Sequence, residues 1–280
     1  MKTFLVLGSH GQIGSHLTSF LREAGHNVLE FDIMDSETQD LRISNNKLLI
    51  EYVQQSDFVF FLAFDVGGAK YLSRYQDTYN FIQNNILIMA NTFEILRKNG
   101  SKFMFASSQM AEMSRSSYGL CKVLGEKYTE ALGGINIRLW NVYGDEKASE
   151  KSHALTDFIV KARDEGVIKM LTDGSEERQF LHADDCCECM LLLSDKYDLL
   201  DRQQNYHISS FEWVSIGGLA SKVAENFKDV KVVASTATDT VHAGHRVEPS
   251  DYILNYWQPK ISLDRGVRDI ILKMGELINV

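Results

Sequence analysis

A tyrosine and a lysine, Tyr118 and Lys122, have the residue types and the spacing of a pair that could move a proton. On a helix, residues four positions apart lie on one face, where the ammonium can favour the phenolate and lower the pKa of the tyrosine. A tyrosine tuned in this way can take a proton from an alcohol. The alternative interpretation is a surface pair whose helical spacing has no chemical role.

A second set of residues has the spacing of a dinucleotide-binding turn. Gly8, Gly11 and Gly14 follow the first apolar run and open a helical segment, so that the backbone can approach a pyrophosphate at the helix N-terminus. Asp32 comes 18 residues after Gly14, where its carboxylate can bind ribose hydroxyls and repel a 2′-phosphate. No Arg or Lys follows it before Leu41. The pattern predicts a site for NAD rather than NADP, and its alternative is a plain glycine turn.

Strand-length apolar runs alternate with segments of helical period, and these elements must position both sets of residues. This order predicts an α/β fold, a doubly wound parallel sheet (Rossmann) with a smaller C-terminal substrate-binding lobe. We expect a dinucleotide-binding domain at residues 1–144 and, at 145–280, a lobe with some elements returning to the sheet. The predicted strands are residues 3–7, 27–31, 57–62, 102–106, 135–139, 169–171, 179–182, 205–208 and 230–233, and the predicted helices are 12–23, 71–98, 118–131, 153–165, 184–193, 216–226 and 263–277.

The composition argues against several classes of protein. A net charge of −9 disfavours nucleic acid and anionic membranes as partners, because both require a basic surface. The longest apolar runs are far shorter than the roughly 20 residues of a bilayer span, so we expect a cytoplasmic protein. Cys186, Cys187 and Cys189 crowd into one segment, apart from Cys121. This arrangement suits neither a disulfide framework nor a metal site, and it favours thiols packed on a helix.

Further motifs occur in an order that resembles the extended short-chain dehydrogenase/reductase group, in particular the NAD-dependent epimerase/dehydratase family, which modifies nucleotide sugars. The resemblance runs nearly from end to end of the chain. The motifs are the glycine turn, Asp40-Leu41, Phe61-Leu62-Ala63-Phe64, Asn84-Asn85, Ser107-Ser108, Tyr118 with Lys122, Arg138 to Gly144, Asp173-Gly174, Arg178 to Asp185, and Tyr256 to Leu263.

The resemblance implies a role for each matching residue. Bound NAD would contact the glycine turn, the ends of two strands and the catalytic lysine, whereas the sugar diphosphate would contact residues from both halves of the chain. The implied cofactor-binding residues are Gly8, Gly11, Gln12, Ile13, Gly14, Asp32, Ile33, Asp40, Leu41, Leu62, Ala63, Phe64, Asn85 and Lys122. The implied substrate-binding residues are Val66, Gly67, Ser108, Asn141, Arg178 and Arg246, of which Val66 and Gly67 resemble a loop of GDP-mannose 3,5-epimerases.

The resemblance also implies a mechanism. Tyr118 would remove the proton of a sugar hydroxyl as hydride passes to NAD, while Lys122 holds down the tyrosine pKa and Ser108 hydrogen-bonds the reacting oxygen. Ser107 is the fallback for Ser108, whose hydroxyl could instead bond backbone at a strand end. Arg178 could instead form a surface salt bridge with Glu176 or Glu177.

Two departures from the family pattern narrow the chemistry. Dehydratases carry an acid pair where this chain has Gln109 and Met110, and amide and thioether groups cannot shuttle protons. Dehydration or enolisation would need another acid or base, for which the candidates are Glu112, Cys121 and His153. In addition, Ser108 and Tyr118 are only 10 residues apart, which shortens a loop on the substrate side.

These observations favour epimerisation or oxidoreduction, at C4, of a nucleoside-diphosphate sugar. A dehydrogenase or keto-sugar reductase that releases its product is the alternative; a non-catalytic NAD sensor and a reductase of small carbonyls are weaker ones. In relatives the helices that carry Asn85 and Tyr118 form a dimer interface, so a homodimer is expected. The nucleotide and the sugar are left open.

Overall fold

The computed structural model describes residues 1–113, 115–146, 151–239 and 247–274. Strands and helices alternate along the first half of the chain and become shorter in the second. The strands are β1 (Thr3–Leu7), β2 (Asn27–Phe31), β3 (Phe58–Phe61), β4 (Phe103–Ser108), β5 (Ile135–Leu139), β6 (Asn141–Tyr143), β7 (Val167–Lys169), β8 (Glu177–His182), β9 (Asn205–Ile208), β10 (Trp213–Ser215) and β11 (Lys231–Val233). The helices are α1 (Gln12–Glu23), α2 (Lys47–Gln55), α3 (Ala69–Tyr75), α4 (Tyr79–Asn99), α5 (Ser117–Leu132), α6 (Ala154–Glu165), α7 (Ala183–Asp195), α8 (Ile216–Ala224) and α9 (Leu263–Lys273).

A six-stranded parallel sheet forms the centre of the molecule, in the order β2-β1-β3-β4-β5-β9. The strands β2 and β3 lie on opposite sides of β1, so the direction of winding reverses there. In open α/β sheets, ligands bind beyond the carboxyl ends of the strands at such a reversal. The glycine turn follows β1 at this place in the fold, and the predicted α/β fold is confirmed.

Alternate residues of the central strands face two different helical layers, because successive side chains of a strand point to opposite faces. Phe4 and Val6 of β1 pack with helices α1 and α7, whereas Leu5 and Leu7 pack with α2, α4 and α5. Both faces are therefore covered, which explains why strands such as β3 are apolar throughout.

The three clustered cysteines lie on α7 and are fully buried in the layer that α7 forms with α1. Cys186, Cys187 and Cys189 have no exposed surface, and they share this core with Leu17 and Leu21 of α1. The four described cysteines are free thiols. The prediction of thiols packed on a helix is confirmed.

The second half of the chain builds a separate core around a three-stranded sheet in the order β10-β8-β6 and a two-stranded sheet of β7 and β11. Helices α6, α8 and α9 supply most of this core, through residues such as Phe158, Leu219 and Val267. Strand β9 also lies in this half, but it pairs with β5 in the central sheet. Across the described residues, no helix is both long and apolar enough to cross a bilayer.

Several predicted elements differ from the structure. The single helix predicted at 71–98 is two helices, because the chain breaks at residues 76–78 and Thr78 caps α4 by accepting a hydrogen bond from the Phe81 backbone N–H at 3.4 Å. Helix α2 and strands β6 and β10 were not predicted, and β7 lies two residues before the predicted strand 169–171. Of the helix predicted at 263–277, residues beyond 274 lie outside the described ranges.

Candidate active site

The glycine turn closes tightly between β1 and the end of β3. Gly8 adopts a φ of +87° and donates a backbone hydrogen bond to the Phe31 carbonyl at 2.9 Å. A Cβ atom on Gly8 would lie 2.8 Å from the backbone of Ala63, and one on Gly14 would lie 2.0 Å from the Gly8 carbonyl oxygen. These approaches exclude any side chain at either position.

The turn has the features that a pyrophosphate requires. Helix α1 begins after Gly11, which has no side chain to cap it, and its first turn contains no acidic residue. The first backbone N–H groups and the helix dipole therefore favour an anion at this end. The hydroxyl of Ser9 is buried in the turn without a hydrogen-bond partner among the described residues. Gln12 and Ile13 form the first turn of the helix.

Asp32 follows β2 directly and is held against the glycine turn. Its carboxylate accepts hydrogen bonds at 3.0 Å from the backbone N–H groups of His10 and Met34, and its own N–H donates to the Gln39 side chain at 2.8 Å. The carboxylate thus lies at the reversal point of the sheet, where its spacing from the glycine turn predicts a residue that binds ribose hydroxyls. Ile33, the next residue, is about half exposed.

The residues expected near the adenine divide between surface and core. The Asp40 carboxylate is bound by the Arg42 guanidinium at 2.8 to 3.0 Å. Partial burial opposes ionisation of Asp40, but the Arg42 hydrogen bonds and charge outweigh it and lower its pKa. Leu41 is buried in the core with α2 and α4. Its side chain is therefore a packing residue as well as a candidate adenine neighbour.

Tyr118 and Lys122 lie on the inward face of α5, one turn apart, and both are buried. Ser108, at the carboxyl end of β4, is the serine whose side chain acts on the pKa of Tyr118. Its hydroxyl also accepts from the Met110 backbone N–H at 3.2 Å, which is the strand-end backbone bond that was the alternative for Ser108. Helix α5 begins at Ser117 because the Ser116 hydroxyl accepts from the Gly119 N–H at 3.0 Å. A Cβ on Gly119 would lie 2.1 Å from the Met110 carbonyl oxygen, so the short segment between Ser108 and Tyr118 packs directly on the helix.

The pKa of Tyr118 is raised, which is opposite to the direction predicted from its spacing to Lys122. Burial favours the neutral phenol more strongly than the Ser108 hydrogen bond favours the phenolate. Burial likewise lowers the pKa of Lys122 to about 7, although the Cys121 and Glu126 charges oppose the change. The Lys122 Nζ donates to the Ala106 carbonyl at 2.6 Å and lies 3.6 Å from the ring centre of Phe64. Its charge is therefore directed at these groups rather than at the phenol oxygen.

A buried ion network lies beneath this pair and was not predicted. The Glu126 carboxylate accepts from the Ser107 hydroxyl at 2.5 Å and from two nitrogens of Arg138 at 2.7 and 2.8 Å. Arg138 also pairs with Glu112. Ser107 is thus engaged away from the phenol, which leaves Ser108 as its serine neighbour. The position of Glu126, four residues after Lys122, was the available sequence signal.

The loop after β3 is fixed by Asn85, which is fully buried. The Asn85 side chain accepts from the Asp65 N–H at 2.7 Å and donates to the Asp65 carbonyl at 3.1 Å. Val66 is half buried beside Tyr71 in a small cluster that contains Tyr118, and a Cβ on Gly67 would lie 2.9 Å from the Tyr71 side chain. Leu62 and Ala63, just before this loop, pack against the two main cores.

The remaining substrate candidates lie in the second half of the chain. The Asn141 side chain accepts from the Gln109 amide at 2.9 Å, so it adjoins the segment after Ser108. Arg178 forms an ion pair with Asp239 and donates to the Glu177 backbone carbonyl at 2.6 Å. The acidic partner of Arg178 is therefore Asp239 and not the side chain of Glu176 or Glu177, and no local pattern predicts this pairing across 61 residues. Arg246 lies outside the described residues.

The three alternative acids and bases are all engaged or buried. Glu112 pairs with Arg138, and His153 lies 2.9 Å from Glu146. Cys121 is buried, which raises the pKa of its thiol. Within the described ranges, no group of three or more His, Cys, Asp or Glu side chains could hold a metal ion.

Comparison with known proteins identifies the family. The model of the NAD dependent epimerase/dehydratase family matches residues 4–209. The chain belongs to this family. Among its relatives, GDP-mannose 3,5-epimerase of Arabidopsis thaliana is 27% identical over 311 residues, covering 94% of this chain and 79% of that protein. GDP-L-fucose synthase of Sinorhizobium fredii is 24% identical over 302 residues, covering 95% and 93%.

Solved structures support the fold of this epimerase/dehydratase family member. UDP-glucose 4-epimerase of Thermotoga maritima superposes with a TM-score of 0.80 at 20% identity, covering 98% of this chain and 100% of that one. The chain is therefore an enzyme of the epimerase/dehydratase family, and NAD is its cofactor. The glycine turn, the helix N-terminus and the Asp32 carboxylate fit that cofactor.

Proposed function

We propose that this enzyme catalyses NAD-linked epimerisation or oxidoreduction, at C4, of a nucleoside-diphosphate sugar. The observation that carries the proposal is the burial of Tyr118 and Lys122 one turn apart on the inward face of α5, with Ser108 as the serine that acts on the phenol. All three lie on β4 and α5, and β4 is separated from β1 by one strand of the central sheet. A sensor of NAD would not need a buried tyrosine and lysine at this edge.

The chain's own residues have separable roles in the proposed chemistry. When bound, NAD supplies the group that accepts or donates hydride. The Tyr118 Oη exchanges a proton with the sugar hydroxyl or keto oxygen, and Ser108 hydrogen-bonds that same oxygen. The Lys122 ammonium, bound to the Ala106 carbonyl and the Phe64 ring, does not contact the phenol oxygen and acts on developing phenolate charge only from one helical turn away. The glycine turn, Asp32 and Lys122 would hold the cofactor.

A second candidate function is the reduction of a 4-keto sugar with release of the product. The raised pKa of Tyr118 supports it, because a neutral phenol is ready to donate the proton that a reduced ketone needs. The engaged state of Glu112 and His153 and the thioether of Met110 disfavour dehydration and enolisation. Among the relatives, GDP-L-fucose synthase and GDP-mannose 3,5-epimerase suggest a GDP-linked substrate.

We also propose that the enzyme forms a homodimer through α4 and α5. Leu120, Leu124 and Tyr128 recur at four-residue spacing on α5, and each is at least 40% exposed. Tyr79 and Ile82 of the neighbouring α4 are exposed as well. A second copy of the same two helices would bury this apolar face in a four-helix arrangement.

The function is tested with a panel of GDP-, UDP-, dTDP- and CDP-sugars, with product analysis and measurement of NADH. Epimerisation yields two sugar isomers without net NADH, whereas a dehydrogenase yields NADH in step with a keto sugar. We expect Tyr118→Phe to lower turnover by about two to four powers of ten with NAD affinity retained, because one proton transfer is lost. Unchanged turnover would remove Tyr118 from the mechanism.

Substitution of Arg178 distinguishes an enzyme of nucleotide sugars from a reductase of small carbonyl compounds. Arg178→Lys keeps the charge but loses the planar fork that binds phosphate oxygens in pairs. Turnover of nucleotide sugars should collapse, mainly through KM, while NAD binding persists. The small-carbonyl reductase is favoured instead if two results occur together. Neither the wild-type enzyme nor Arg178→Lys turns over any nucleotide sugar, and Arg178→Lys reduces a small carbonyl compound at the full rate.

A further inference from the structure

The ammonium of Lys122 is enclosed by aromatic rings. Its Nζ atom lies 3.6 Å from the ring centre of Phe64, 4.9 Å from that of Phe105 and 5.6 Å from that of Tyr118. The distance to Phe64 is short for a cation above an aromatic face, where contacts extend to about 6 Å. Phe64 is therefore the principal aromatic partner of the buried charge.

Phe64 also contacts the other member of the pair. Its ring meets the Tyr118 ring edge to face, with centres 5.8 Å apart and an interplanar angle of 77°. The Phe64 backbone follows Ala63, which packs on Gly8 of the cofactor turn, and precedes Asp65, which Asn85 holds on both sides. The main chain on either side of Phe64 is thus fixed, so its ring is held in place over the lysine.

We propose that Phe64 is a positioning residue for Lys122, whose ring holds the ammonium between the Ala106 carbonyl and Tyr118 and stabilises its positive charge in a water-poor site. An aromatic face attracts a cation most strongly where water is excluded. The proposal rests on the proposed function, because it assigns Phe64 a part in the work of the Tyr118 and Lys122 pair. No role of this kind follows from the dinucleotide-binding motifs themselves.

The other groups that act on Lys122 come from three elements. On α5, Cys121 and Glu126 favour its charged form, and Tyr118 faces it as a neutral phenol. Strand β4 contributes the Ala106 carbonyl and the Phe105 ring. From β5, Arg138 acts indirectly, since it neutralises part of the Glu126 charge. Phe64 is the contribution from the loop after β3.

The test is a titration of Lys122 by NMR on protein with carbon-13 in its lysine side chains, with the signal assigned from Lys122→Met. Phe64→Leu keeps an apolar side chain over the lysine but removes the aromatic face. We expect the Lys122 midpoint to fall by about one pH unit in this variant. Phe64→Tyr retains the ring and should restore the midpoint of the unmodified protein.

Phe81→Leu is the matched control. Phe81 is also a buried ring of the cluster that contains Tyr118, and the centres of the two rings are 6.5 Å apart. This substitution should leave the midpoint within a few tenths of a unit. An unchanged midpoint in Phe64→Leu, or an equal shift in Phe81→Leu, would overturn the proposal. The titration needs no substrate, so it can fail while the sugar panel succeeds, and the reverse also holds.

Where a substrate is found, the same variants give a second readout. The limb of the rate profile that follows loss of the Lys122 proton should move to lower pH in Phe64→Leu by the same interval as the NMR midpoint. Phe64→Tyr should return it. A uniform fall in rate at every pH, with the limb unmoved, would show that Phe64 only packs the site.

Discussion

The Asp32 carboxylate is fixed by two backbone donors and directed at the glycine turn, so its charge acts at a defined place. We predict that Asp32→Ala lowers NAD affinity about ten- to hundredfold, the scale of a lost charge-assisted hydrogen bond. NADP affinity should fall less or rise, because a 2′-phosphate is no longer repelled. Titration of both dinucleotides by calorimetry measures the two affinities.

The control for this experiment is Asp35→Asn in the same loop. Asp35 is exposed and pairs with the His10 ring at 2.7 Å, on the other side of the residue whose backbone binds Asp32. Its loss should change either affinity by less than about threefold, as for other surface ion pairs. Equal effects of the two variants would contradict the assignment of Asp32 to the ribose.

At the scale of single residues, the sequence identified types and spacings but not electrostatic environments. That Ser108 acts on Tyr118 could be predicted, because the two motifs are only 10 residues apart in the chain. The direction of the Tyr118 pKa shift could not, because it depends on how completely the fold excludes water from the phenol. The pairing of Arg178 with Asp239 joins residues from distant segments, and nothing in their local sequence indicates it.

Helix α5 carries Tyr118 and Lys122 and is joined to β5 through the buried ion pair of Glu126 with Arg138. We predict that Glu126→Gln lowers the free energy of unfolding by about 3 kcal/mol, because Arg138 loses its buried carboxylate and keeps only Glu112, which is one-third exposed. Urea unfolding followed by circular dichroism measures this loss.

Glu130→Gln, one turn further along α5, is the matched control. Glu130 pairs with Lys127 at 2.8 Å, but the lysine is two-thirds exposed. Such a pair contributes about 1 kcal/mol or less. A loss for Glu126→Gln as small as that for Glu130→Gln would mean that the buried network adds little to stability.

The elements that were predicted well have strong local signals. Strands β1, β2, β5 and β9 and helix α1 have the predicted bounds, because apolar runs or a glycine turn set them. The break between α3 and α4 was missed, since the apolar period continues across it and the Thr78 cap is visible only in three dimensions. Helix α2 was missed although Asn46 caps it, because nine residues give only about two helical turns in which to recognise an apolar period.

For the whole molecule, the central sheet follows from the alternation of strands and helices, but the small sheets of the second half do not. Strands β6 and β10 were missed because three residues are too few for a period-two pattern to register, whereas β11 lies within the predicted 230–233 and β7 begins two residues before the predicted 169–171. They pair across long separations, as Trp213 does with Gln179. The elements that approach the substrate side are therefore the least predictable from local sequence.

The exposed apolar face of α4 and α5 leads to a prediction about the oligomeric state of the protein. Leu124→Glu should convert a dimer to a monomer at micromolar concentration, because a carboxylate would be buried in the interface. Sedimentation velocity measures the change. Leu272→Glu, at a leucine of α9 that is also exposed, should leave the assembly unchanged. A wild-type protein that sediments as a monomer at tens of micromolar would refute the proposed dimer.

The three thiols of α7 have a practical consequence for studying how the molecule opens. Cys186, Cys187 and Cys189 lie without exposed surface between α7, from the second half of the chain, and α1 of the first. A maleimide cannot reach them unless these helices separate. The rate of alkylation at these three positions therefore reports how readily α7 separates from α1, and a ligand that stabilises this packing should slow the reaction without any engineered label.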